Sequence, residues 1–455
     1  MAATPSFDDG PRYLGELTEF LSIPSVSSDP ARRPELREAA EWVTSQLGFA
    51  RGRVVETAGH PVVLGEWLEA PGAPTILVYG HYDVQPPGDE AEWETPPFSP
   101  SVRDGRIYAR GATDDKGPML VPLKVAEAFL DQLGALPLNV RFLFEGEEEI
   151  GSPSLAGVLR DHRDELAADL VVSADGAMWR SSEPSIAIAA KGLLALDLVV
   201  TGPSADLHSG RHGGAVQNPL HALAQILAGL HEPDGSVAVD GFYDDVLPLS
   251  VADRAALARV PFDEEAYRDE VGAPALHGEP GFTTLERLWT RPTLEVNGVE
   301  GGGRFTVIPR RARAHVTCRL VPDQVPAAIF GAVVGHVRRQ RIPGVEVAVE
   351  AAPGAVPAYA IAADHAAVRA ATSALRTVYP DMETLLVRIG GTLPAASLFE
   401  EVLGLKTLLF SFSTADEQLH APNEFFRLSR LDEGMRAWAE LWRLLALDES
   451  LLRLG

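Results

Sequence analysis

Three short apolar runs, each ending abruptly in a histidine or in acidic residues, constrain this chain more than anything else in it. Thr75-Ile76-Leu77-Val78-Tyr79 closes on Gly80 and passes into His81-Tyr82-Asp83. Asn139–Phe144 passes into Glu145-Gly146-Glu147-Glu148-Glu149, and Asp169–Ser173 into Ala174-Asp175. Continuous β-prone runs this short read as strands buried on both faces. The stretches between them have a different period. Residues 11–22 and 36–48 carry apolar residues three and four apart, and Met119, Leu123, Ala126, Leu130 and Leu133 lie on one helical stripe. Pro118 suits a first helical position, whereas Pro122 is expected to bend or delay the first turn. Strands alternating with helices predict an α/β fold, a mostly parallel sheet with helices on both faces.

The pattern changes after Gly192. Strands are expected at Leu194–Thr201, Thr293–Val296, Arg311–Val321 and Val345–Ala351, and helices at Pro219–Leu230 and Val325–Gln340. Taken in order these give strand, helix, strand, strand, helix, strand, a ferredoxin-like α+β unit. A loop-rich stretch from about 235 to 290 is inserted in it. From about 357 the α/β character returns, with a buried strand at Lys406–Phe412 and a last helix at 430–447. The expected division is residues 1–192 and 356–455 in one domain, interrupted by residues 193–355 as a second.

Charge narrows the partners. Among 455 residues, 39 Lys and Arg face 64 Asp and Glu, a net charge of −25. A nucleic-acid backbone or an anionic membrane surface needs a basic footprint, so neither is expected as a partner. The one cysteine, Cys318, excludes an intramolecular disulfide and a thiolate metal site. The N-terminal MAATPSFDDGPRYLGEL lacks a basic stretch followed by an apolar run, and the expected location is the cytoplasm.

In open α/β sheets, ligands bind beyond the carboxyl ends of the strands. His81, the acids of 145–149, Asp175 and the intervening Asp114-Asp115 can therefore converge. Each has a plain alternative: a local hydrogen bond for His81 and Asp83, a solvated face for Glu147–Glu149, turns and caps for Asp114-Asp115 and Asp175. Three strand ends delivering acids and a histidine to one place is not what surface patterning does. Imidazole with carboxylate is a ligand set for a hard or borderline divalent ion.

At these residues the chain resembles the co-catalytic dizinc metallopeptidases, which include carboxypeptidase G, the aminoacylases and the carnosinase-like cytosolic dipeptidases. The motifs are GHYDVQP (80–86), ARGATDDKGP (109–118), EGEEEIGS (145–152), DLHSG (206–210) and the late His420. The carnosinase-like branch is nearest, through DLHSGRHGG, TVIPR and CRLVP. The resemblance implies a catalytic domain interrupted by a lid and dimerisation domain. It implies that His81 and Asp175 hold one metal, that Glu149 and His420 hold the other, that Asp114 bridges them, and that the Asp114–Asp115 peptide is cis. Asp83 would orient His81, and Glu148 would be the general base. His208 would complete the site of the other subunit of a homodimer. Thr306, Arg319, Arg388 and Thr392 would bind substrate; a guanidinium fork fits a carboxylate bidentately, with Arg319 the first candidate and Arg388 its rival.

The activity implied is hydrolysis of a dipeptide or short peptide by a water bridging two divalent ions, zinc first, with manganese or cobalt as alternatives. An N-acyl-amino-acid deacylase or desuccinylase using the same site is the near alternative, and a non-catalytic metal- or peptide-binding relative the remote one. Two departures from the family pattern stand out. Glu147 replaces a usually apolar residue, and Glu417-Gln418-Leu419 is bulkier than the usual small-residue run and bears on substrate range.

Overall fold

The computed structural model describes residues 3–447. These fall in two compact units, one drawn from residues 3–188, 361–387 and 394–447, the other from Ala189–Ala360 and Arg388–Leu393.

In the larger unit the sheet centre is parallel. Asn139–Glu145, Thr75–His81, Leu170–Ser173 and Thr407–Leu409 lie side by side in that order. Antiparallel strands extend it. Val62–Trp67 joins Asn139–Glu145, Arg53–Val55 joins Val62–Trp67, and Leu409 pairs with Ala187 of Ser185–Ala190. The flanking strands carry no run as distinctive as the central ones, so the sequence pattern did not reveal them. Leu77 and Tyr79 face one side, in a cluster with Leu155, Val158, Leu159 and Phe399. Toward the other side lies the helix Gly117–Leu133: a Cβ at Gly80 would stand 2.7 Å from an Asp115 carboxylate oxygen and 2.8 Å from Met119. Only glycine lets strand and helix approach that closely.

Pro122 does not delay the helix, which runs unbroken from Gly117 to Leu133. Every residue from Gly117 to Ala126 is buried, and that packing outweighs the ~3 kcal/mol an interior proline costs. The strand expected over 406–412 is shorter, Thr407–Leu409. No described helix is long and apolar enough to cross a membrane.

The smaller unit has four antiparallel strands in the spatial order Thr293–Glu300, Arg311–Leu320, Gly192–Thr201, Glu346–Ala351. Alternation sorts their side chains. Leu194, Leu196, Leu198, Val200, Ala312, Ala314, Val316 and Cys318 are buried with residues of the helices Pro219–Ala228 and Pro326–Arg339. Arg313, His315, Thr317 and Arg319 take the alternate positions and the opposite face. The stretch expected to be loop-rich holds three helices of seven residues: Val251–Leu257, Glu264–Glu270 and Thr284–Thr290. They are too short to show a period. Their signals were capping boxes, Ser250 with Asp253 and Thr283 with Glu286.

Candidate metal centre

The parallel strands deliver their ends to one place. His81 is the last residue of its strand and fully buried; Asp175 lies two residues beyond Leu170–Ser173. Asp114 sits in the turn Ala112–Lys116 with φ −127° and ψ 90°, and the Asp114–Asp115 peptide is cis, as the resemblance implies. Glu148 and Glu149 open a short turn after Asn139–Glu145.

These residues form two overlapping trios, His81-Asp114-Asp175 and Asp114-Glu149-His420, in each of which the ligand atoms lie within 4.8 Å of one another. Asp114 belongs to both. One of its oxygens is 3.1 Å from His81 Nε2 and the other 2.8 Å from His420 Nε2. His420 Nε2 is also 3.2 Å from a Glu149 oxygen. One carboxylate offering an oxygen to each of two histidines is a bridging arrangement. With no thiolate present, the donor set fits a pair of hard or borderline divalent ions.

Electrostatics reflect the crowding. Burial pushes the Asp114 carboxyl up, but hydrogen bonds to His420 and His81 outweigh it and hold the group well below its usual range. For His81 burial opposes the charged form, while Asp114 and Asp83 raise the pKa above its ordinary value. Bonds to Asp114 and Glu149 push His420 up to about 10. Burial lifts Asp175 to about 6 and Glu148 well above the usual range, with neighbouring carboxylates adding to both.

The surrounding bonds assign work the sequence did not. His81 Nδ1 is 3.1 Å from the backbone carbonyl of Asp83 and 3.5 Å from its carboxylate. That carboxylate also accepts from the backbone N–H groups of Glu148 (3.2 Å) and Glu149 (3.1 Å). Asp83 therefore ties the end of one strand to the turn after the next. Gln85 Nε2 donates to the Glu149 carboxylate at 2.9 Å. Glu145 accepts from Tyr79 and Ser152. Glu147 is not a solvated charge: it is buried, accepting from the backbone N–H of His60 at 2.9 Å and of Ser154 at 3.0 Å.

Glu417 and Glu424 are fully buried. Glu424 accepts from the backbone N–H groups of Gly111 (2.9 Å), Thr113 (2.9 Å) and Asp114 (3.2 Å) and from Arg110 (2.7 Å). Glu417 accepts from the Thr113 hydroxyl at 2.5 Å, the Thr414 N–H at 2.9 Å and Arg427 at 2.9 Å. So Glu417 faces inward and braces the turn that carries Asp114, instead of adding bulk beside His420. Gln418 is exposed and Leu419 half-buried. The Asn-Glu pair after His420 was the only signal for Glu424, and nothing local pointed to Glu417.

The remaining expected site residues lie in the smaller unit, in two groups. His208 and Thr306 are exposed, at the ribbon where Leu207–His208 pairs with Val307–Ile308, and the Ser209 N–H donates to the Thr306 carbonyl at 2.9 Å. Arg319 donates to the Thr392 hydroxyl at 2.8 Å. Arg388 is committed elsewhere, 3.1 Å from Asp253, which leaves Arg319 the freer cation.

The chain is similar to known peptidases over most of its length. The family described as Peptidase family M20/M25/M40 matches residues 77–444. The chain is 30% identical over 437 residues to Cys-Gly metallodipeptidase dug1 of Schizosaccharomyces pombe (strain 972 / ATCC 24843), covering 90% of this chain and 91% of that one. It is 31% identical over 427 residues to the Beta-Ala-His dipeptidase of Homo sapiens, covering 91% of this chain and 82% of that one. The crystal structure of an M20 family metallo-carboxypeptidase, Sso-CP2 from Sulfolobus solfataricus, matches with a TM-score of 0.83 and 31% identity, covering 97% of this chain and all (100%) of that one.

Proposed function

The chain belongs to peptidase family M20/M25/M40, and from that premise we propose that it is a metal-dependent dipeptidase. The observation that carries the reading is the pair of ligand trios sharing Asp114, with Glu148 beside them. His81 and Asp175 would hold one ion, Glu149 and His420 the other, and Asp114 both. Bound there, two divalent ions, zinc first, would polarise a peptide carbonyl and acidify a water.

The chain's own residues do the rest. Glu148 is not needed in either trio, and its carboxylate is free to take the proton of the attacking water and pass it to the leaving amine. Burial, with neighbouring carboxylates, raises its pKa above the usual carboxylate range. Asp83 fixes the backbone of Glu148, so the base is set before substrate arrives. Arg319 with Thr392 would hold the substrate carboxylate. His208, exposed in its own chain, would reach the site of a second subunit and stabilise charge developing on the carbonyl oxygen, within a homodimer.

A panel of dipeptides, tripeptides and N-acyl amino acids, assayed with added Zn²⁺, Mn²⁺ and Co²⁺, tests the reading. Dipeptides should be the best substrates. Turnover of N-acyl amino acids alone would move the assignment to a deacylase, and no turnover with two ions bound would remove it.

A further inference from the structure

The smaller unit holds a cavity of about 850 Å³. Tyr243, Tyr267, Leu276 and Trp289 supply apolar wall, and Lys191 and Arg319 line the same space. Lys191 immediately precedes the strand Gly192–Thr201, in which Leu193 lies directly opposite Arg319. Two residues before Leu193, Lys191 shares the sheet face of Arg319 and is its diagonal neighbour. The Lys191 backbone N–H donates to the carbonyls of Ile389 and Gly391, which fixes the segment carrying Thr392 against it. Three stretches distant in sequence thus converge on one wall.

The charges there do not balance. Lys191 is 4% exposed, and among the described residues its ammonium donates only to the Arg287 carbonyl, at 3.2 Å, and Arg319 only to Thr392. Arg291 is paired bidentately with Glu279. Among the described residues, no carboxylate lies within ion-pair distance of Lys191 or Arg319. A buried ammonium with one neutral acceptor and a cationic neighbour is costly until an anion joins it. Burial first, then Arg319 and Arg291, push Lys191 down to about 8, with Glu295 opposing. The other ionisable groups on these walls are Arg287, Glu279, Glu232, His231 and His277, with the phenols of Tyr243 and Tyr267.

We propose that Lys191 acts with Arg319 and Thr392 as a two-cation clamp for the free carboxylate of the substrate, so that the protein selects peptides ending in an unblocked carboxylate. This rests on the dipeptidase reading and adds to it a residue, Lys191, that the resemblance does not assign. Since the Lys191 ammonium is half deprotonated near pH 8, the clamp should weaken above that pH.

The test compares L-alanyl-L-leucine with its C-terminal amide on the metal-loaded enzyme. The measured quantity is the ratio of KM for amide to KM for acid, in which pH effects on the chemistry cancel. Wild type should prefer the acid, and K191M should lose on the order of 10- to 100-fold of that preference, the range of one charge-assisted hydrogen bond. In wild type the preference should fall as pH rises through about 8, and K191R should retain it there, because a guanidinium stays protonated. A merely structural role for Lys191 would raise KM for acid and amide alike and leave their ratio unchanged in K191M; that result overturns the clamp. Calorimetric titration with N-acetyl-L-leucine and N-acetyl-L-leucinamide asks the same question of binding alone. If neither dipeptide is cleaved but the acid still binds better in a Lys191-dependent way, the dipeptidase reading has failed and the clamp has not.

Discussion

In the larger unit, Asp114, Glu149, Glu417 and Glu424 each accept from at least one donor of the chain itself, and Glu424 from four. In the smaller unit, Lys191 and Arg319 meet only neutral oxygens, and His208 stands exposed on a two-residue ribbon. The first region has its geometry fixed before any ligand arrives, because removing one partner would leave buried charge uncompensated. On the proposed reading, the second would be completed by a substrate carboxylate at Lys191 and by a second subunit at His208. Preorganisation belongs where bonds are broken, and open valence where substrate or partner must come and go.

The sharpest way to break that contrast is to remove what the first region is built around. Two trios predict two ions per chain. Elemental analysis should find them, a chelator should abolish activity completely, and divalent metal should restore it. Full activity in chelator, with no metal bound, would end the metal reading.

Next in size is the base. E148Q should keep both ions and lose about 10²–10⁴-fold in kcat, the usual share of general base catalysis. A variant that loses an ion instead would show that Glu148 and Glu149 exchange roles.

The brace comes third. Glu424 touches no expected metal position but holds the backbone of Asp114. E424Q should weaken metal affinity by about 10–100-fold, as loss of a supporting bond around a ligand does. Zinc titration of the apo-protein reads this without activity, and unchanged affinity would make the brace structurally idle.

The smallest signal is the most specific to the second region. H208A and E148A chains should each be nearly inactive. After dissociation and equal remixing, half the dimers are mixed and each carries one intact site, so about a quarter of wild-type activity should return. Verified mixed dimers that stay inactive would place His208 in its own chain or outside catalysis.

By itself the sequence determined the strands and what stands at their ends. Thr75–His81, Asn139–Glu145 and Leu170–Ser173 announce themselves because a strand buried on both faces reads as a nearly continuous apolar run, and that is a local property. The ferredoxin-like order of the smaller unit was legible for the same reason, through alternation and helical period. Only the tertiary structure decided which polar side chains turn inward. Glu417 reaches Thr113 across 304 residues, and Glu424 reaches the Asp114 N–H across 310. It made Glu147 a buried tie between loops, and it made Asp83, whose carboxylate stands 3.5 Å from His81 Nδ1, also the anchor of Glu148 and Glu149. Lys191, between an alanine and a glycine, carries no local mark; its meaning comes from the register that sets Leu193 opposite Arg319. Period and propensity are written over a few neighbouring residues, whereas a buried charge takes its role from whichever distant strand or loop the fold packs against it.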